Sequence, residues 1–255
     1  MVAEQIEYRE LLRQMTKRDL LLRYKQTVMG FAWAVFMPLL STAVFSIIFT
    51  RVGKVETPVP YPVFAFCGLW VWHFFSSSLR FSVSALTGNT NLVSKVYFPR
   101  EIFPLSAVIV CFVDFLVGSI VMIGLLIWYQ VPVGLNLLWL PVVVAASVAF
   151  TLALALILSM GNLFYRDVKY LFEVVVTVWM FATSVIYPVD GIGGRLGTLL
   201  QLNPMTPIID AYRAVLLLDA PPSPAFAWAA AFSVVALGLA WLSFHRAEFQ
   251  FAENI

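Results

Sequence analysis

"NLVSKVYFPREIFPLSAVIVCFVDFLVGSIVMIGLLIWYQ", residues 91–130, is the stretch whose reading decides the fold. Its first part carries Lys95, Arg100 and Glu101, whereas from Ile102 to Gln130 the only Asp, Glu, Lys, Arg or His is Asp114. A membrane-crossing helix needs about 20 mostly apolar residues, and this run exceeds that length. A helix on the surface of a soluble domain would instead show a polar face at every turn. Upstream, Tyr61–Leu79 holds only His73 among such residues. Residues 91–104 therefore read as a short charged connector between two membrane-grade stretches.

Composition agrees. The chain has 255 residues, 61% hydrophobic and 12% charged, against about 25% charged in an ordinary soluble domain. Mean hydropathy is +0.89. Sixteen Lys and Arg against fourteen Asp and Glu give no basic patch of the kind a nucleic-acid binder needs. Cys67 and Cys111 both lie in oily stretches and form no CxxC pair. The first 25 residues are charged throughout, so a cleavable signal peptide with an apolar centre is not expected.

Working outward, six stretches read as spans: Thr27–Thr50, Tyr61–Leu79, Ile102–Tyr129, Leu137–Tyr165, Tyr170–Pro188 and Phe226–Phe244. The fifth is the weakest, since it crosses only if Glu173 lies at the interface. An even number puts both ends on one side. With the ends in the cytoplasm, inner segments hold twelve of the sixteen Lys and Arg and outer segments four, which sets that orientation. Before the first span, Tyr8, Leu11, Leu12, Met15 and Leu22 share a helical face opposite Arg9, Arg13 and Lys17, which predicts an amphipathic helix lying in the membrane plane. Between spans five and six, Asp190–Ala225 is rich in glycine and broken by Pro204 and Pro207, which predicts a re-entrant helical hairpin on the outer side. The fold expected is an all-α polytopic membrane protein in a single domain, 1–255. Its parts are an interfacial helix (1–26), spans one to five (27–188), an outer hairpin (189–225), and span six with a cytoplasmic tail (226–255).

The sequence has no HExxH, no GxSxG and no run of metal-ligating residues, so no catalytic residue and no metal ligand is expected. It also has no GxxxxGK[ST] loop to cradle phosphates. The chain offers no visible means of hydrolysing ATP, and no cofactor of its own is expected.

"LLRYKQTVMGFAWAVFMPLL" (21–40), "FCGLWVWHFF" (66–75), "NLVSKVYFPREIFPL" (91–105), "SVIYPVD" (184–190), "LNPMTPIIDAYRAVLL" (202–217) and "FAEN" (251–254) follow one another in order. This series resembles the bacterial polysaccharide-export permeases of the ABC type 2 family. The resemblance implies a bacterial inner-membrane subunit that pairs with a second copy of itself and with two ATP-binding cassette subunits. ATP and Mg2+ would be held by those partners. It further implies export of a lipid-linked glycan such as O-antigen, with capsule or teichoic-acid export as alternatives inside the family.

Site expectations follow. The connector, through Lys95, Tyr97, Phe98, Pro99, Arg100 and Glu101, is expected to meet the ATPase partner, with the aromatic pair as buried anchors. Its competing role is a basic loop that only fixes orientation. Arg23 and Lys25 at the mouth of span one are expected at lipid phosphate, either that of a lipid-linked glycan or of bulk headgroups. Trp33, Phe36, Phe66, Trp70 and Trp72 are the rings expected along a glycan path, with packing as the alternative. Pro204, Pro207, Asp210, Tyr212 and Arg213 are expected in an outer gate. There Ile208, Ile209, Tyr212 and Leu216 would form one helical face and Asp210 and Arg213 the other. Asp114 and His73 suit either interhelical hydrogen bonds or, in an ion-coupled secondary transporter, proton sites; no internal repeat supports the latter.

Overall fold

A computed structural model describes residues 8–25, 30, 32–51, 57–95, 98–188 and 194–251. Every regular element among them is helical. In chain order they are α1 (Arg9–Tyr24), α2 (Ala32–Arg51), α3 (Tyr61–Val83), α4 (Thr90–Lys95), α5 (Ile102–Trp128), α6 (Leu140–Phe164), α7 (Val168–Phe181), α8 (Gly194–Leu202), α9 (Met205–Leu217) and α10 (Pro224–Ala247). A 3-10 turn, Leu135–Trp139, leads into α6, and another, Glu248–Gln250, closes α10.

Among the described residues five helices are long and apolar enough to cross a membrane: α2, α3, α5, α6 with its leading turn, and α10. The fifth predicted span, Tyr170–Pro188, is realised as the 14-residue α7. At 1.5 Å per residue such a helix is about 21 Å long, short of the roughly 30 Å hydrocarbon core. Backbone turns occupy 182–187 where the apolar sequence continued.

α3 is the hub of the bundle and touches α2, α5, α6, α7 and α9. Pro62 sits in its first turn, where a missing N–H costs nothing. Between helices in lipid there is little hydrophobic driving force, so close packing and polar contacts decide which faces meet. α3 supplies both. Gly68 lets the backbone come so near the 182–187 turn that a Cβ there would lie 2.2 Å from the Val185 carbonyl oxygen. On the other side Trp70 lies flat on Phe115 of α5, centroids 4.1 Å apart, and donates its indole N–H to the Phe115 carbonyl at 2.9 Å. Gly118 makes room, since a Cβ on it would sit 2.7 Å from the Trp70 ring. α10 packs along α6 on the far side of the bundle.

In α1 Met15 is buried and Tyr8, Leu11 and Leu12 pack on the core. Leu22, assigned to that face, is instead 75% exposed. The helix lies along the first half of α5, with successive contacts pairing Asp19 with Ser106 and Arg23 with Cys111 and Asp114. The ordered pairing means the two helices run the same way, and α1 is seated by polar contacts as much as by its apolar stripe.

Candidate functional site

Three polar centres are built into this apolar frame. The first is a cavity of about 160 Å3 between the end of α1 and helices α2, α3 and α5. Arg23, Trp33, Trp70, His73 and Asp114 are among its lining residues. A lone carboxylate at that position in α5 would cost about 2.5–3.5 kcal/mol on insertion scales, and the fold answers that cost from α1. Arg23 Nη1 lies 2.9 Å from Asp114 Oδ2. The Tyr24 hydroxyl donates to Asp114 Oδ1. The Arg23 guanidinium also covers the Phe81 ring at 4.4 Å. Burial, with Asp114 accepting its proton, holds the Tyr24 phenol above its ordinary range. On the α2 side, Pro38 has no N–H, which leaves the carbonyl of Ala34 without its helical donor. Ala34 and Pro38 both border the cavity. One wall is therefore an ion pair and an imidazole, another an irregular helix turn, and the remainder aromatic.

The cavity gathers Arg23, Trp33 and Trp70 from two separate expectations, and adds Asp114 and His73. The other expected path rings fall elsewhere. Phe36 meets Trp33 edge-on at 5.6 Å on the exposed face of α2. Phe66 is fully buried, and Trp72 packs against Phe75 and Trp179 inside the bundle. These two rings are core, because α3 is surrounded on nearly all sides. Arg23 is already engaged by Asp114, so of the two cations expected at lipid phosphate only Lys25 is exposed.

The second centre is the hairpin of α8 and α9. Its helix α9 is buried almost all round and not two-faced. Arg213, expected to point away from the apolar face, is 4% exposed. Its guanidinium donates to the carbonyls of Ser184 and Val185, the latter at 2.7 Å, pairs with Asp210 at 3.2 Å and stacks over Phe64 at 3.7 Å. Helix ends leave carbonyls without partners, and at membrane depth these must be satisfied from inside the protein. Arg213 does this for the turn that follows α7. Asn203 reinforces the same break, donating to Ala182 and Thr183 and accepting from Trp179. Tyr212 meets Ser147 of α6 at 3.0 Å. Pro204 caps the start of α9 and Pro207 is buried in its first turn, where neither interrupts a bond. The chain parts into two helices at Asn203 and Pro204, ahead of Pro207.

The third centre is the connector. Tyr97 and the side chain of Lys95 lie outside the described residues. Phe98, expected as an anchor for a partner, is 5% exposed and packs on Phe103 of its own chain at 5.5 Å. Pro99 and Arg100 are half-buried. The Arg100 backbone N–H donates to Glu248 Oε1 at 2.8 Å, and its guanidinium donates to the Glu248 carbonyl oxygen. Glu101 is 2% exposed. Burial raises the Glu248 carboxyl above its ordinary range; the Arg100 N–H opposes this and Glu101 adds to it. The floor of the connector is thus bolted to the end of α10. Sequence reasoning missed this seat, although His245 and Glu248, three residues apart on one helical face, were a readable pair.

Comparison with known proteins adds a context for these centres. Residues 10–217 match the family described as ABC-2 type transporter. The chain is 34% identical over 261 residues to the O-antigen export system permease protein RfbA of Myxococcus xanthus, covering 100% of this chain and 99% of that one. It is 31% identical over 209 residues to the protein of the same name from Klebsiella pneumoniae, covering 82% of this chain and 80% of that one.

Proposed function

The chain belongs to the ABC-2 type transporter family, and from that premise we propose that it is the membrane permease subunit of an ATP-driven exporter of a lipid-linked polysaccharide of the O-antigen class. The observation that carries this reading is end-to-end similarity to a permease named for that task. Five long apolar helices with a short, broken α7 support it. In this reading α7 and the turn after it complete a sixth crossing in the bacterial inner membrane, both ends face the cytoplasm, and α8 and α9 form a hairpin at the outer side. Two such chains pair and are driven by two ATP-binding subunits that hold ATP and Mg2+. α1 lies at the cytoplasmic surface.

Within that frame we read the geometry as follows. The exposed rings Trp33 and Phe36 on α2, with the adjoining cavity, suit an edge of the substrate path, since aromatic faces accept sugar C–H surfaces and lipid alike. Lys25 stands free at its cytoplasmic mouth for a phosphate. The connector passes partner motion into α5 and α10 together, because it is fixed to both. Deleting the gene in its host should abolish surface polysaccharide while lipid-linked glycan accumulates on the cytoplasmic side, and reintroduction should restore export. Normal surface glycan in the deletion strain, with no internal accumulation, would overturn the assignment.

A further inference from the structure

The end of α10 and the start of α5 meet in a cluster of three ligating side chains. One side-chain ligand atom from each of Glu101, His245 and Glu248 lies within 4.8 Å of the other two. His245 Nδ1 is 3.5 Å from Glu248 Oε2. Glu248 Oε1 is taken by the Arg100 N–H, so Oε2 is the oxygen left to face the cluster. Glu101, almost completely buried, has a carboxylate oxygen, Oε2, with no hydrogen-bond partner among the described residues, and His245 Nδ1 also lacks one. A buried carboxylate oxygen facing a second carboxylate, with no donor, is an expensive arrangement unless something positive joins them. Arg100 does not serve as that charge, because its guanidinium is directed to the backbone carbonyl of Glu248.

We propose that Glu101, His245 and Glu248 form a binding site for a first-row divalent cation, with Zn2+ the best match to one imidazole and two carboxylates. Such a set leaves one position for water and balances the two carboxylate charges. Ligand atoms bound to one Zn2+ at about 2.0–2.1 Å stand about 3.3 Å apart, so small side-chain rotations close the cluster. The ligands come from two elements far apart in sequence. The cation therefore clamps the connector that opens α5 to the last turn of α10, and fixes the angle at which both helices leave the cytoplasmic face. Carboxylate and imidazole ligands also disfavour Cu+ and other thiophilic ions, which prefer sulfur.

The test uses the full-length chain in detergent, purified without a polyhistidine tag, stripped with chelator and titrated with Zn2+. One tightly held equivalent per chain after gel filtration, with a raised unfolding midpoint, is expected. Glu101→Gln and His245→Gln should each weaken binding by about 100-fold or more, as loss of one of three ligands implies. His73→Gln should leave it unchanged. Co2+ in place of Zn2+ reads the unaltered protein: intense four- or five-coordinate visible bands are expected. The proposal is overturned if no tight equivalent binds, if the spectrum is that of hexaaqua Co2+, or if the equivalent survives both substitutions as an adventitious surface ion. It is equally overturned if a permanently protonated His245 joins the two carboxylates and excludes the metal.

Discussion

α2 and α3 are neighbours of similar length, and both are apolar enough to cross a membrane. In α3, 83% of the most apolar window is buried within the chain, whereas in α2 it is 11%. Yet α3 is the less hydrophobic of the two, and indeed the least hydrophobic of the five long helices. It carries Gly68, Ser76, Ser78 and Ser82 where α2 carries Met37, Leu39, Leu40, Ile47 and Ile48. In water the most apolar helix goes inside. In lipid the tails are as apolar as leucine, so small and hydrogen-bonding residues go inside and the oiliest ones stay out. α2 therefore presents its surface outward, and α3 presents its surface to the rest of the chain.

The contrast can be broken or sharpened by substitution, read as thermal or denaturant stability of the purified chain in detergent. The largest effect is expected at the α3 end of the comparison, where Arg213 reaches Phe64 and the 182–187 turn. Arg213→Met strips the Ser184 and Val185 carbonyls of their donor and removes the Arg213–Asp210 ion pair, a loss of about 3–5 kcal/mol. A stability within 1 kcal/mol of the parent, on the scale of ordinary substitutions, would refute the view that a buried cation holds the α7 break. Next comes Asp114→Asn, which removes the charge that Arg23 and Tyr24 share. About 2 kcal/mol should be lost, and α1 should become the first segment to exchange its amide hydrogens; slow exchange throughout α1 would break the assignment. Trp70→Phe keeps the stack on Phe115 but loses the indole N–H bond, for about 1 kcal/mol. A cost several times larger would mean that the ring's volume matters more than its bond. The smallest effect belongs to α2. Ile47→Ala should move the stability of the isolated chain by no more than about 0.5 kcal/mol, yet lower the fraction of paired chains in a cross-linking assay. Loss of stability without loss of pairing would reverse the contrast between the two helices.

Much of the frame was legible because the bilayer imposes one strong rule on the sequence, a minimum apolar length. α2, α3, α5, α6 and α10 each overlap a stretch read as a span, α5 and α6 falling inside it and α2, α3 and α10 running past its ends, and the helices α8 and α9 part at Asn203 and Pro204. What escaped was everything decided by partners distant in the chain. The apolar run after Val174 gave no local sign that α7 stops at Phe181; the turn that follows is held by Asn203 and Arg213, which donate to the carbonyls of Ala182 and Val185. Arg23 looked like a lipid-facing cation and Asp114 looked alone because each is the other's partner across a long separation in the chain. Phe98 had the composition of a docking anchor, but its own helix α5 supplies the pocket. The candidate cavity was legible as a list of residue types, cations at a mouth and rings along a span. Which of those rings would face open space was not, since hydropathy is blind to the side on which a ring falls.

The contact between Arg213 and the end of α7 also bears on how the protein is made. Ser184 and Arg213 are 29 residues apart, which at roughly 5–20 residues per second of synthesis is a delay of about 1.5–6 s. Throughout that interval the carbonyls of the α7 break are already in place and their donor has not yet left the ribosome. The segment cannot be released into lipid in finished form. With the six crossings proposed above, it would wait beside the insertion machinery until α9 arrives, so residues 168–217 would enter the membrane as one cargo and not as successive helices.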